Sequence, residues 1–362
     1  MTNQILSIFS TAGSFVVAIA VLLFMITVHE FGHYIAGKKL GFKINEFAIG
    51  FGPAIFKRKM KSGEDFSIRC VPLGGYCAFE GEDTDSESPD SFEKKAPWKR
   101  IIVLAAGATA NVIATVVIIL GVFAFAGQYF IQVASVLPSP PSESYNTEYL
   151  LEVGDYIIEI DGETIYSTTA LSAQIASAKE EGRDILDVTI VRDGEEMTVP
   201  VEIRTYEYTY EEDGVSKTLT SEGFGILNSS GAVKFGFFDT IKHSFGYCIS
   251  AAGQIYTFLG QLFTGSVGLE YVGGPVTTIT MTASIASMGW RVLLEFVALI
   301  GINLAVFNLL PIPALDGSKI VFTTIEWVRG KPINRNLENM IHFIGFVAIF
   351  AFAIFVDVIK LF

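Results

Sequence analysis

The sequence predicts a polytopic α-helical membrane protein with about four transmembrane helices, a β-hairpin region in its first loop and one inserted extracytoplasmic α/β domain. Three observations carry this: a mean hydropathy of +0.47, 51% hydrophobic residues against 17% charged among 362, and an uneven spread of a net charge of −13. Soluble domains carry roughly 25% charged residues, so an ordinary cytosolic enzyme is excluded. An excess of 38 Asp+Glu over 25 Lys+Arg argues against nucleic acid as a partner. The hydrophobic content excludes disorder, and three cysteines in so long a chain exclude a disulfide framework.

Residues 1–37 hold the first expected transmembrane helix, because residues 1–28 are uncharged and 15–26 read FVVAIAVLLFMI. Residues 1–10 lack the Lys or Arg of a signal peptide, so this span is expected to be retained. A cytoplasmic loop at 38–99 follows. In it, residues 66–79 (FSIRCVPLGGYCAF) form two apolar runs around Pro72, Gly74 and Gly75, as a hairpin would. Trp98, Lys99 and Arg100 anchor the second span at 100–127. Residues 128–235 make the external domain.

Residues 236–289 form an external or interfacial region. Within it, 244–263 carry Ser250, Gln254, Thr257 and Gln261 at spacings of three and four, the polar stripe of an amphipathic helix rather than a lipid-facing span. The third span is expected at 290–316, a cytoplasmic loop at 317–338 and the fourth span at 339–362. Twelve basic residues between Lys38 and Arg100, against six between Gln128 and Phe235, put the first loop inside and the second outside.

His29-Glu30-Phe31-Gly32-His33 is an HExxH pattern. Positions i and i+4 share a helix face, so both imidazoles can reach one Zn2+, with Glu30 beside the water as general base. Catalytic zinc usually takes three protein ligands. Asp316, in NLLPIPALDG directly after an apolar span, is the strongest third candidate, since His243 and His342 each stand alone as packing or interfacial residues. The first and third spans both run inward if 244–263 does not cross, which brings all three side chains to one depth; a crossing would put Asp316 on the opposite face. Pro311 and Pro313 break the helix before Asp316, leaving irregular backbone that membranes tolerate only when buried or beside a wet cavity. Asn308 there reads equally as a substrate-backbone contact or as inter-helix glue.

These two halves together make the chain resemble the site-2 protease family of intramembrane zinc metalloproteases, in its bacterial branch with a single PDZ domain. Supporting features are Asn45-Glu46-Phe47 with Gly50-Phe51-Gly52-Pro53, Pro72-Leu73-Gly74-Gly75-Tyr76, Ala106-Gly107 with Asn111, and Gly273-Gly274-Pro275-Val276. Ala108 and Ser318 depart from the usual proline and glycine, at positions not needed to bind metal. The resemblance implies that His29, His33 and Asp316 are zinc ligands, Glu30 the catalytic base, and Asn308 part of substrate handling. It also implies that the 66–79 segment is a membrane-dipping β-element beside the site, which makes Gly74 and Gly75 candidate substrate contacts.

The expected partners, on that resemblance, are the lipid bilayer, an upstream site-1 protease and single-span membrane substrates such as anti-sigma factors or remnant signal peptides. The expected location is the bacterial cytoplasmic membrane. Residues 129–205 should form the PDZ-like fold, although Pro138-Ser139-Pro140-Pro141-Ser142-Glu143-Ser144 replaces a glycine-bearing carboxylate loop; steric exclusion of folded ectodomains is the favoured role. Residues 206–220 look like a solvated hairpin or insertion. The alternatives are a catalytically inactive membrane scaffold with an external binding module, and a membrane-anchored zincin acting on soluble proteins. Residues 128–235 carry net charge −14 and the rest of the chain +1, so the acidity belongs to the external domain.

Overall fold

The computed structural model describes residues 2–82, 88, 90–138, 151–212 and 215–360. It has two compact units, one made of Met1–Gly121 with Cys248–Phe362 and the other of Val122–Tyr247. Residues 139–144 of the proline-rich stretch lie outside the described residues.

The first unit is helical around one sheet. Its elements are α1 (Thr2–Leu40), β1 (Ile44–Lys59), β2 (Asp65–Phe79), most of α2 (Pro97–Ala126), the end of α4 (Phe237–Thr264), α5 (Pro275–Ala286), α6 (Trp290–Leu309), α7 (Asp316–Arg329) and α8 (Arg335–Ile359). Among the described residues, four stretches are long and apolar enough to cross a membrane: Gly13–Leu40, Pro97–Ala126, Trp290–Leu309 and Arg335–Ile359. Local chemistry sets their ends. Gly41 (φ 78°) follows α1, Leu310 turns extended before Pro311 after α6, and the Asn334 side chain accepts from the Asn336 and Leu337 N–H groups to start α8. The helix α4 is not one of the four. Its exposed residues mix Phe245, Ile249 and Phe263 with Gln254 and Gln261.

The sheet differs from a simple hairpin at 66–79. The two runs on either side of Pro72 do not pair with each other: residues 65–68 and 75–79 pair with opposite edges of 44–49, and 54–59 then add beyond 65–69. Both strands bend back over themselves, β1 at Gly50 (φ 86°) and Gly52 (φ 82°), β2 at Gly74 (φ 122°). A Cβ on Gly50 would come within 2.7 Å of the Val71 carbonyl oxygen, so the bend needs glycine for space as well as for angle. The chain reverses between Met60 and Glu64, where Glu64 accepts from Lys38, Tyr34 and Ser62 and ties the turn to α1. Phe42, Phe47, Cys77, Phe79, Phe92, Val103 and Leu104 form the core beneath it.

The second unit is an antiparallel sheet in the order β10 (Ile226–Val233), β3 (Gln128–Val136), β4 (Tyr156–Ile160), β6 (Ile185–Arg192), β7 (Glu195–Glu202), with short β5 (Glu163–Thr164) beside β4. The helix α3 (Thr168–Glu180), capped by Ser167, contributes Leu171 and Ala178 to a core with Ile157, Ile160, Leu186, Val188 and Ile190. A separate hairpin joins β8 (Arg204–Glu212) to β9 (Val215–Gly223). Cys70, Cys77 and Cys248 are free thiols, and burial pushes the Cys77 thiol far above its ordinary value.

Candidate metal centre

The helix α1 presents His29 and His33 one turn apart, and α7 begins on Asp316 after the break that Pro311 and Pro313 impose. The three donors converge. His29 Nε2 lies 3.0 Å from Asp316 Oδ2, His33 Nε2 lies 3.3 Å from the same oxygen, and the two Nε2 atoms are 3.1 Å apart. Both histidines are buried.

Four features fit this donor set to zinc. Zinc with nitrogen and oxygen ligands at about 2.0–2.1 Å in a tetrahedron has ligand–ligand edges of roughly 3.3–3.4 Å, close to the observed triangle. His33 donates Nδ1–H to the Val103 carbonyl at 2.8 Å, which leaves Nε2 as the lone-pair nitrogen facing Asp316. His29 Nδ1 faces the fully buried Asn111 amide at 3.4 Å, and Asn111 Oδ1 is a buried oxygen without a hydrogen-bond partner. Turning that amide end for end gives Oδ1 the Nδ1–H that a ligating His29 must donate. Lastly, Gly107 lies against both rings: a Cβ there would sit 2.4 Å from His33 Nε2 and 2.7 Å from His29 Nε2.

Val103, Gly107 and Asn111 therefore occupy one stripe of α2 at spacings of four. Sequence reasoning noted Gly107 and Asn111 but gave them no role. A glycine and an asparagine four residues apart, in a helix whose other polar residues after Arg100 are Thr109 and Thr115, are the signal that marks such a stripe. A second close approach supports it, because a Cβ on Gly32 would lie 2.3 Å from the Ala106 carbonyl oxygen. The HExxH helix and α2 thus touch backbone to backbone at the site.

His29, Glu30, His33, Asn308 and Asp316 line one cavity of about 620 Å³, together with Tyr76, Cys77, Ala78 and Phe79. Asn308 donates one of its amide N–H groups to Leu304 O at 2.9 Å on its own helix. Gly75 stands beside Glu30, where a Cβ would be 3.6 Å from Glu30 Cγ. Neither Gly74 nor Gly75 is among the residues lining the cavity; Gly74 supports the bend, and a Cβ there would strike the Phe51 ring at 2.1 Å.

Four bilayer-length apolar helices, two buried histidines beside a half-buried aspartate and a glutamate in the same cavity are the features of a multi-pass membrane metalloprotease. Residues 17–352 match peptidase family M50, the site-2 protease family, and the chain belongs to it. A relative from Clostridium perfringens (strain 13 / Type A), named as a zinc metalloprotease, is 33% identical over 345 residues, covering 92% of this chain and 94% of the relative. Relatives bearing the same description occur in Fusobacterium nucleatum (29% identical over 362 residues; 96% of this chain and 99% of the relative) and Synechocystis sp. (30% over 358; 94% and 92%). The protein is a zinc metalloprotease of the lipid bilayer.

Proposed function

We propose that the protein hydrolyses peptide bonds within transmembrane segments of single-span membrane proteins, with His29, His33 and Asp316 holding Zn2+ and Glu30 acting as general base. The observation that carries this reading is the shared cavity, in which Glu30, the three donors and one strand segment face the same space. Zinc, when bound, supplies Lewis acidity that activates water at neutral pH and polarises a carbonyl. The Glu30 carboxylate takes the proton from the attacking water and passes it to the leaving amide nitrogen. Asn308, with one N–H already given to Leu304, retains a second N–H and its oxygen for substrate backbone.

A transmembrane helix has every peptide group bonded internally, so a bond within it is protected until the helix unwinds. Residues 75–79 pair with 44–49 along one edge, and their other edge offers unwound backbone new partners beside Glu30. Gly75 permits that approach, while Gly74 contributes only through the bend. Residues 128–235, PDZ-like and external on the family resemblance, act by steric exclusion of folded ectodomains. Substrates are then remnants already trimmed by a site-1 protease, such as anti-sigma factors or signal peptides, in the bacterial cytoplasmic membrane with the site toward the cytoplasm. The basic residues of the first loop support that orientation.

The test is to purify the protein in detergent, measure bound zinc, and incubate it with a tagged single-span substrate alongside Glu30→Gln. The expected result is one zinc per chain in both proteins and cleavage only by the unsubstituted one. Cleavage that survives the substitution, or a product cut outside the hydrophobic segment, would overturn the reading.

A further inference from the structure

The backbone that delivers Asp316 is an irregular loop, residues 310–315, and its hydrogen bonding can be followed group by group. Pro311 and Pro313 have no N–H. Leu310 N–H bonds Phe307 O, Ile312 N–H bonds Leu310 O and Leu315 N–H bonds Ile312 O, all local. Ala314 is different: its N–H donates across the fold to Nδ1 of His342 on α8 at 3.1 Å. Ala314 also has φ 82°, in the left-handed region. An L-residue with a Cβ is strained there and persists only when its surroundings enforce it.

The enforcing surroundings lie on α8. Gly345, one turn from His342 on the same face, lets Pro313 press against the helix, since a Cβ on Gly345 would meet Pro313 Cβ at 2.4 Å and Pro313 O at 2.6 Å. The His342 ring is held edge-on by Phe322 of α7, with centroids 5.6 Å apart. An N–H donor facing Nδ1 requires that nitrogen to be the acceptor, so the ring proton of the neutral imidazole sits on Nε2, turned toward Glu338 Oε1 at 3.9 Å. His342 is thus fixed in rotamer and tautomer, and the bond it accepts is two residues from Asp316.

We propose that His342 is a positioning residue for Asp316: by accepting the Ala314 N–H it fixes the left-handed turn that aims the Asp316 carboxylate at His29 and His33. This rests on the reading of Asp316 as a zinc ligand. From sequence His342 is a packing or interfacial residue, and either role needs only the shape and polarity of the ring. A positioning role needs the acceptor at the place of Nδ1. Substitutions separate these two needs. Phenylalanine keeps a ring without the acceptor, asparagine places its amide oxygen where Nδ1 stands, and glutamine carries that oxygen one bond further out.

The experiment uses the full chain in detergent and reads zinc affinity by chelator competition, together with the visible spectrum of the cobalt-substituted protein. His342→Phe is expected to weaken metal binding about 10–100-fold, the usual cost of removing a group that orients a ligand, and to shift the cobalt bands. His342→Asn is expected to restore most of the affinity and the native spectrum. Native affinity in His342→Phe, or equal weakening in His342→Phe and His342→Asn, overturns the proposal. If His342→Phe does not fold, as judged by its melting curve, His342→Asn and His342→Gln decide, and equal affinities in that pair overturn it. Asp316→Ala in the same series tests the underlying reading: native affinity there removes Asp316 from the ligand set, whereas loss there without loss in His342→Phe counts against positioning alone.

Discussion

The Asn111 side-chain amide faces Nδ1 of His29 at 3.4 Å, on the side of the ring away from Asp316. One polar group on α2 therefore sets which nitrogen of the first histidine is presented to the donor triangle, as the Val103 carbonyl does for His33. Asn111→Leu keeps the volume and removes the hydrogen bond. Zinc affinity measured by equilibrium dialysis is expected to fall about 10–100-fold with little change in melting temperature. An unchanged affinity would make Asn111 a packing residue.

Gly107→Ala should be far more damaging than its single methyl suggests. The added Cβ would lie 2.4 Å from His33 Nε2 and 2.7 Å from His29 Cε1, so both rings must leave the triangle or α2 must move away from α1. The expected outcome is a folded, helical protein that purifies without zinc and does not cleave substrate. Retention of one zinc per chain would show that α2 yields instead.

The turn between β1 and β2 should have its own acid dependence. Burial opposes ionisation of Glu64, but hydrogen bonds from Lys38, Tyr34 and Ser62 outweigh it and hold the carboxyl at about 2, below its ordinary 4.5. A lowered carboxylate value contributes stability that is complete above the ordinary value and is lost as pH falls through the folded one. Melting temperature in detergent is expected to drop between pH 4.5 and 2, the window those two values set. Glu64→Gln should lower stability at neutral pH and flatten that slope; parallel curves for the two proteins would refute the assignment.

The path of α4 is open to chemical labelling. Single cysteines at the exposed positions Asp239 and Ser266, in a background lacking Cys70, Cys77 and Cys248, should both react with an impermeant maleimide added from the external side. Reaction from opposite sides would mean that α4 crosses, and the third span would then carry Asp316 to the wrong face.

Much of this architecture was legible because it depends on local pattern. Uncharged runs of bilayer length mark the four apolar helices, the i, i+4 histidines mark one face of α1, and Pro311 with Pro313 marks the break before Asp316. The illegible parts depend on who meets whom. Residues 66–79 have the composition of a hairpin, yet each half pairs with 44–49, because the bends at Gly50, Gly52 and Gly74 release both strands to double back. His342 reads as a lone histidine until the fold places it under Ala314. Gly107 and Asn111 acquire meaning only when α2 lies against α1, since the rings they touch are more than seventy positions earlier in the chain.

The donor triangle joins residues 287 positions apart, His29 near one end of the chain and Asp316 near the other. Synthesis therefore completes both histidines of α1 long before Asp316 has been translated. Nascent and truncated copies hold two histidines but no complete site.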